Sequence, residues 1–345
     1  SGPLTVAAFG YSPTVTKTPR TLLSGYNRSN LPPIATTTFR ALPDYSSRPT
    51  SMRLLFVHER FGAFGGAEAN VLLTATELKR RGDAVAILHG ARTGKQEDAW
   101  NDTFTDRYAL INARPASILR TALAEFRPEM IFLHKLAGAD ALTALADCGV
   151  PVVRMVHDHD LYCLRGYKYN PLNRKICTRA ASAYCVFPCG GTVARNRDGG
   201  FPVKWVSYGD KQRELAVNRR FHRLIVATEF MQAEMVRNGF APAQIEIHAP
   251  VPRTEPETFQ CSFSECNRIV YAGQIIRGKG VDVLLESLAR VQAPFECVIL
   301  GDGNQRAACE ALSARLGLGD RVTFAGFVSQ AEIQDYYRDA SVAVM

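Results

Sequence analysis

Nowhere in its 345 residues does the chain hold a run of about eighteen apolar residues, which excludes an ordinary membrane-spanning helix. A secretory leader is also missing from the segment that opens at Met52, because MRLLFVHERFG is too short and too polar to serve as one. Acidic residues are scarce in two places. Residues 1–51 contain a single acid, Asp44, with seven prolines and five basic residues, and neither a helical nor a strand period survives there. Such a segment cannot bury enough apolar surface to offset chain entropy, so it is expected to be a disordered or non-native extension preceding a natural start at Met52. Residues 160–223 hold thirteen Lys or Arg against four Asp or Glu, and this excess alone exceeds the formal charge of +8 on the whole chain. A local excess of that size is either a solvated surface or a face that attracts phosphate, on a nucleotide, a lipid headgroup or a nucleic acid.

What is present is a repeating cycle of short apolar runs and amphipathic segments, in a chain long enough for two cored domains. Strands are expected at 53–58, 84–88, 130–133, 150–156, 224–227 and 245–247, with helices at 66–81 and 115–126. The segment 251–267 has no clear period and reads as a linker. The cycle then restarts, with strands at 268–271, 297–300 and 322–324 and helices at 281–291, 305–316 and 331–339. This alternation implies an α/β protein with two Rossmann-like, doubly wound parallel sheets, in domains spanning 52–250 and 268–345. The chain stops inside the next strand, SVAVM, so the second domain is expected to be incomplete.

Candidate chemistry lies where strands end. Gly65 and Gly66 open the first helix, where bare backbone and the helix dipole suit an anion; the bland alternative is a tight strand-to-helix turn. The strand PVVRMV runs into His157-Asp158-His159-Asp160, at the edge where open α/β sheets bind ligands. His157 there can orient a hydroxyl or exchange a proton, unless the run is only an exposed turn. In the second domain GQIIRGKG follows a strand and precedes a helix, offering Arg277 and Lys279 to a diphosphate, and Gly301 and Gly303 sit in the next strand-end turn.

Nine cysteines is an odd number, and a chain without a leader belongs in a reducing cytosol, where clustered cysteines are more often metal ligands than disulfides. Cys163, Cys177, Cys185 and Cys189, spaced C-x13-C-x7-C-x3-C, would complete a closed structural zinc shell; separately buried thiols or disulfides are the alternatives.

Taken together these segments resemble glycosyltransferase family 4, a group of retaining enzymes of the GT-B fold. The resemblance covers residues 52–345 and rests on GGAE with the helix after it, on PVVRMVHDHDLYC, on YAGQIIRGKGVDVLLESLARV and on ILGDGNQR with RVTFAGFVSQAEIQDYYRDASVAVM. A cysteine-bearing insertion also occurs in some members. The resemblance implies a nucleoside diphosphate sugar as donor, a glycan or lipid-linked acceptor, His157 at the transferred sugar, and the Gly65-Gly66 amides and Lys279 at the diphosphate. No catalytic metal is implied. Gln274 stands where the family has an arginine, with Arg277 as its substitute. A Pro-Ser turn and two glutamates seven residues apart would follow Met345 in the family; without them, transfer by this chain is expected to be impaired. Glycine turns and cationic side chains from two separate sheets would converge on one pyrophosphate in a cleft, in a cytoplasmic enzyme of glycan biosynthesis with peripheral contact at the inner membrane face. The rival is a zinc-stapled nucleic-acid-binding protein, from the interleaving of Tyr162, Arg165, Tyr167, Lys168, Tyr169, Arg174 and Lys175. Family 4 membership would leave nucleic acid outside the expected partners.

Overall fold

The computed structural model of the chain describes residues 51–110, 115–169, 175–195, 203–249, 267–328 and 330–344. The N-terminal extension to residue 50, most of the linker and Arg174 lie outside the described residues. The chain divides into two compact units between Glu255 and Pro256, inside the expected linker.

The first unit runs β1 (Arg53–Phe61), α1 (Gly66–Arg80), β2 (Ala84–Arg92), α2 (Glu97–Thr103), β3 (Asp106–Ala109), α3 (Pro115–Phe126), β4 (Met130–Lys135), α4 (Ala139–Ala146) and β5 (Val152–Val156). It continues through β6 (Val193–Arg195), β7 (Val203–Trp205), α5 (Tyr208–Asn218), β8 (Arg223–Val226), α6 (Glu229–Arg237) and β9 (Ile245–Ile247). Seven of these strands form one sheet in the order β3-β2-β1-β4-β5-β8-β9, every described pairing parallel. The strand order reverses between β1 and β4, the point at which such sheets open a crevice.

β1 shows why the sheet is covered on both faces. Its side chains alternate, so Leu55 and Val57 join a core with Leu119, Phe126, Leu133 and Leu142, while Leu54 and Phe56 join another with Val71, Trp100 and Phe104. Helix α1 ends where expected, at Gly82, whose φ of +93° is costly for any residue with a Cβ.

The connection from β5 to β8 is the longest in the unit and contains the basic stretch. Much of its charge is already neutralised: Lys168 pairs with Glu234, Lys211 with Glu214, Arg213 with Asp210 and Arg220 with Asp147. Lys168 and Glu234 are both buried, 2.7 Å apart, and tie this excursion to α6.

The second unit runs β10 (Arg268–Ala272), α7 (Val281–Leu288), β11 (Glu296–Leu300), α8 (Arg306–Arg315), β12 (Val322–Gly326), α9 (Gln330–Arg338) and β13 (Val342–Val344). Its sheet has the order β12-β11-β10-β13, all parallel. The two parallel, helix-covered sheets match the α/β class read from the sequence, and each expected strand and helix is present to within a few residues. The periodicity did not mark the short α2 or the β6-β7 hairpin, since neither is long enough to repeat a pattern.

Replacing Lys168 by Met should lower unfolding free energy in urea by about 3 kcal/mol, the low end for a broken buried pair because Arg237 still reaches Glu234. Adding Glu234→Leu should recover most of that loss.

Candidate active site

Four strands of the first unit carry an apolar pair followed by a histidine toward or just past the carboxyl end: Phe56-Val57-His58, Ile87-Leu88-His89, Phe132-Leu133-His134 and Met155-Val156-His157. Three of these strands, β1, β4 and β5, are neighbours at the reversal point, so His58, His134 and His157 gather at one carboxyl edge. Nδ1 of His134 lies 2.9 Å from Nε2 of His157, and their rings stack at 5.2 Å. His134 is itself stacked on Phe56. The sequence pointed to His157 alone. Its two partners come from strands more than twenty residues away, and the repeated apolar-apolar-His ending is the signal that would have found them.

Nδ1 of His58 lies 3.1 Å from the Arg60 N–H and 3.2 Å from the Arg60 carbonyl oxygen, and Nε2 faces the Glu68 carboxylate at 3.7 Å. The Nε2 atoms of His58 and His134 are buried and have no hydrogen-bond partner among the described residues. Burial lowers the pKa of all three: His157 to about 4, helped by His58, His134 far below the ordinary value, and His58 below it despite the opposing pull of Glu68. The cluster is therefore neutral at physiological pH. It can exchange hydrogen bonds with a hydroxyl, but it is a poor source of protons.

Beside it, the Nζ of Lys135 sits 3.1 Å from Asp158 and 2.9 Å from Asp160. Burial works against the Lys135 ammonium, but the two carboxylates outweigh it and raise its pKa above the ordinary value. Partial burial and the neighbouring Asp160 push Asp158 up to about 6, whereas Asp160, despite its burial, is held low by hydrogen bonding to Asp158 and by Lys135.

The glycine loop is partly as expected. Glu68 is buried and its carboxylate accepts the Gly65 N–H at 2.9 Å, which closes the turn and occupies that amide. An anion at this helix start would thus meet the donors of Gly66 and Ala67, which have no intrahelical acceptor. A Cβ placed on Gly66 would meet no atom within 4 Å, so the space in front of it is open. Phe64, exposed at the loop tip, is covered by the Arg60 guanidinium 3.8 Å from its ring centre.

In the second unit the two strand-end turns are packed on each other. Gly301, at φ +124°, would drive a Cβ to 2.0 Å from the Gly273 carbonyl oxygen, and Gly303 would reach 2.3 Å from that of Ile275. These two glycines are explained by close backbone approach, with Ile275 N–H donating to the Asp302 carbonyl at 2.9 Å. Arg277 and Lys279 lie on a short 3-10 turn that Gly280, at φ +71°, joins to α7; both side chains are exposed, and neither has an ion-pair partner among the described residues. Gln274 is exposed in the same turn.

Cys163, Cys177, Cys185 and Cys189 all line one cavity of about 310 Å³. All seven cysteines among the described residues are free thiols, which removes the disulfide alternative for these four. As folded, no three His, Cys, Asp or Glu side chains among the described residues stand close enough together to hold a metal ion. Among the aromatic and basic residues around the cysteines, Tyr167 and Lys175 are exposed, while others turn inward. Tyr162 is buried with its hydroxyl 2.7 Å from His159 Nδ1, Lys168 is buried against Glu234, and Arg165 donates to the carbonyls of Cys189 and Gly190.

Two helix-covered parallel sheets in separate units correspond to the GT-B fold class. Solved structures of that class resemble the chain at low identity. The Anabaena protein Alr3699/HepE in complex with UDP is 16% identical with a TM-score of 0.57, the match covering 85% of this chain and 73% of that one. A glycosyltransferase from Rickettsia africae is 13% identical with a TM-score of 0.56 over the same shares. The lipopolysaccharide outer core galactosyltransferase WaaB, in its apo form, is 14% identical with a TM-score of 0.52. The profile of Glycosyltransferase Family 4 matches residues 64–250, more than half of the chain, and that of Glycosyl transferases group 1 matches residues 258–345. The chain belongs to Glycosyltransferase Family 4. Among curated proteins, an uncharacterized glycosyltransferase of Methanocaldococcus jannaschii, MJ1607, is 21% identical over 206 residues, 57% of this chain and 52% of the relative. The chain thus spans about half the length of that relative. Among the described residues, no helix is long and apolar enough to cross a membrane.

The histidine cluster makes the fold acid-sensitive. Between the ordinary value of 6.5 and about 4, unfolded histidines take up protons that His157 in the folded chain refuses, so stability should fall as the pH drops through that window. Asp158, which binds its proton at about 6 in the folded state, opposes this trend but is one group against three. Urea unfolding at pH 7.5 and pH 5 should show lower stability at pH 5, with a smaller difference in His134→Phe. Equal stability at both pH values would contradict the buried neutral assignment.

Proposed function

We propose that the protein transfers a sugar from a nucleoside diphosphate sugar to a glycan or lipid-linked acceptor, with retention of configuration, in glycan biosynthesis. The observation that carries this reading is the neutral histidine cluster beside the open helix start at Gly66, at the reversal point of the first sheet. Family membership supports it, as do fold relatives whose structures contain UDP or UDP with glucose. Retention follows from the resemblance to a retaining family.

In this reading His157 holds a hydroxyl of the transferred sugar as a neutral hydrogen-bond partner, and His134 fixes the ring that does so. Charge accumulates on the leaving diphosphate, and Lys279, with Arg277, stabilises it electrostatically. The helix start at Gly66 and Ala67 adds backbone donors of the same sign. Chemistry of this kind relies on cationic side chains and dipoles and uses no catalytic cofactor. The acceptor is anionic or membrane-borne, met in the cytoplasm or at its inner membrane face, and its charge complements the basic stretch 160–223.

Titration of the chain with UDP and with UDP-glucose tests the donor assignment. Lys279→Ala should weaken UDP binding by about 10- to 100-fold, the loss expected for one charge-assisted contact. Gly66→Ala should weaken it with little change in melting temperature, since the added methyl meets only open space. Transfer of radiolabelled glucose from UDP-glucose to a lipid extract should fall in His157→Ala. Unchanged UDP affinity in both binding variants would overturn the donor assignment.

A further inference from the structure

The four cysteines that share one cavity are not used by the proposed transfer chemistry. They reach that cavity from separate parts of the β5-to-β8 excursion. Cys163 follows the histidine-bearing strand end, Cys177 sits beside the bridge between Tyr169 and Ile176, and Cys185 and Cys189 flank a tight turn closed by Gly191 N–H donating to the Cys185 carbonyl at 2.7 Å. Cys148, Cys297 and Cys309 lie outside the lining.

The rest of the lining says what kind of occupant would suit it. Neither Asp, Glu nor His contributes to the cavity wall among the described residues, which disfavours a hard cation. Four cations do: Arg165, Lys168, Lys175 and Arg179. The Nε of Arg165 is buried without a hydrogen-bond partner among the described residues, although its Nη2 donates to the carbonyls of Cys189 and Gly190. Lys168 is paired with the buried Glu234, so these two cations are already held in place around the thiols. Four thiolates around a divalent ion carry a net charge of −2, and the charge of a cluster held by four thiolates is also negative.

The excursion also has little else to hold it. Ile176, Val186, Phe187 and Trp205 are exposed, so its large apolar groups do not build a core of their own. Its fixed points are Tyr162, Leu164 and the Lys168-Glu234 pair. A cross-link through four ligands would supply the order that burial does not.

We propose that Cys163, Cys177, Cys185 and Cys189 ligate one thiophilic metal centre as thiolates. The thiols must turn inward to do so, because as folded they do not stand within a common ligand shell. The cavity is larger than a single zinc ion needs and has room for an iron-sulfur cluster, so the test covers both.

The whole chain is purified anaerobically under reducing conditions and assayed for zinc, iron and acid-labile sulfide. The expected result is either about one zinc per chain or iron with matching sulfide. The metal should be lost in Cys177→Ser and Cys185→Ser and retained in Cys148→Ser and Cys309→Ser. Because the first two variants could fail to fold, unmutated chain refolded with cobalt gives an independent readout: intense visible bands of tetrahedral cobalt thiolate. Failure to bind any of these metals, or metal content unchanged in the Cys177 and Cys185 variants, would overturn the proposal. Neither outcome depends on sugar transfer, so the metal site and the proposed function stand or fall separately.

Discussion

The hydrogen bond between His134 and His157 depends on a register that few folds would provide. Two imidazoles meet at 2.9 Å because β4 and β5 are adjacent, parallel and end at the same level. Burial then keeps both rings neutral, which removes the repulsion that two imidazolium ions would feel. The apolar strands beneath, with Val57, Leu133 and Val156 buried, are what place the rings out of water at the sheet edge. Site chemistry and core packing are thus one constraint, since loosening the strands would hydrate the histidines and return their protons.

The glycines divide by physical cause. At Gly301 and Gly303 a methyl group would collide with the backbone of the neighbouring turn, so these residues are required whether or not a ligand is present. At Gly66 nothing within 4 Å of an added Cβ forbids a side chain, so the described fold does not itself require glycine there. Of the two amides expected at that helix start, the Gly65 N–H is taken by Glu68. The loop is therefore shaped internally by a buried carboxylate and offers outward only the donors that follow.

The basic stretch shows how a composition signal can mislead. Its charge excess is real, yet Lys168 and Arg220 are spent on Glu234 and Asp147, which lie outside the counted window, while Lys211 and Arg213 pair with Glu214 and Asp210 inside it. A count within a window cannot see partners brought in by other helices. Around the cysteines, by contrast, cations collect without any acid in the cavity wall, which is a positional fact rather than a compositional one.

The sequence by itself determined the two α/β series, because apolar runs of strand length alternating with amphipathic helices have few stable arrangements other than covered parallel sheets. It also marked candidate positions at strand ends, since glycine and polar residues there are local signals, and His157 and Lys279 stand out as candidates from a few neighbours. The tertiary structure alone decided that His58 and His134 join His157, that Glu68 claims the Gly65 amide, and that four distant cysteines face one cavity. Those outcomes depend on strand order and on loop docking, which set distances between residues far apart in the chain and leave no trace in local periodicity.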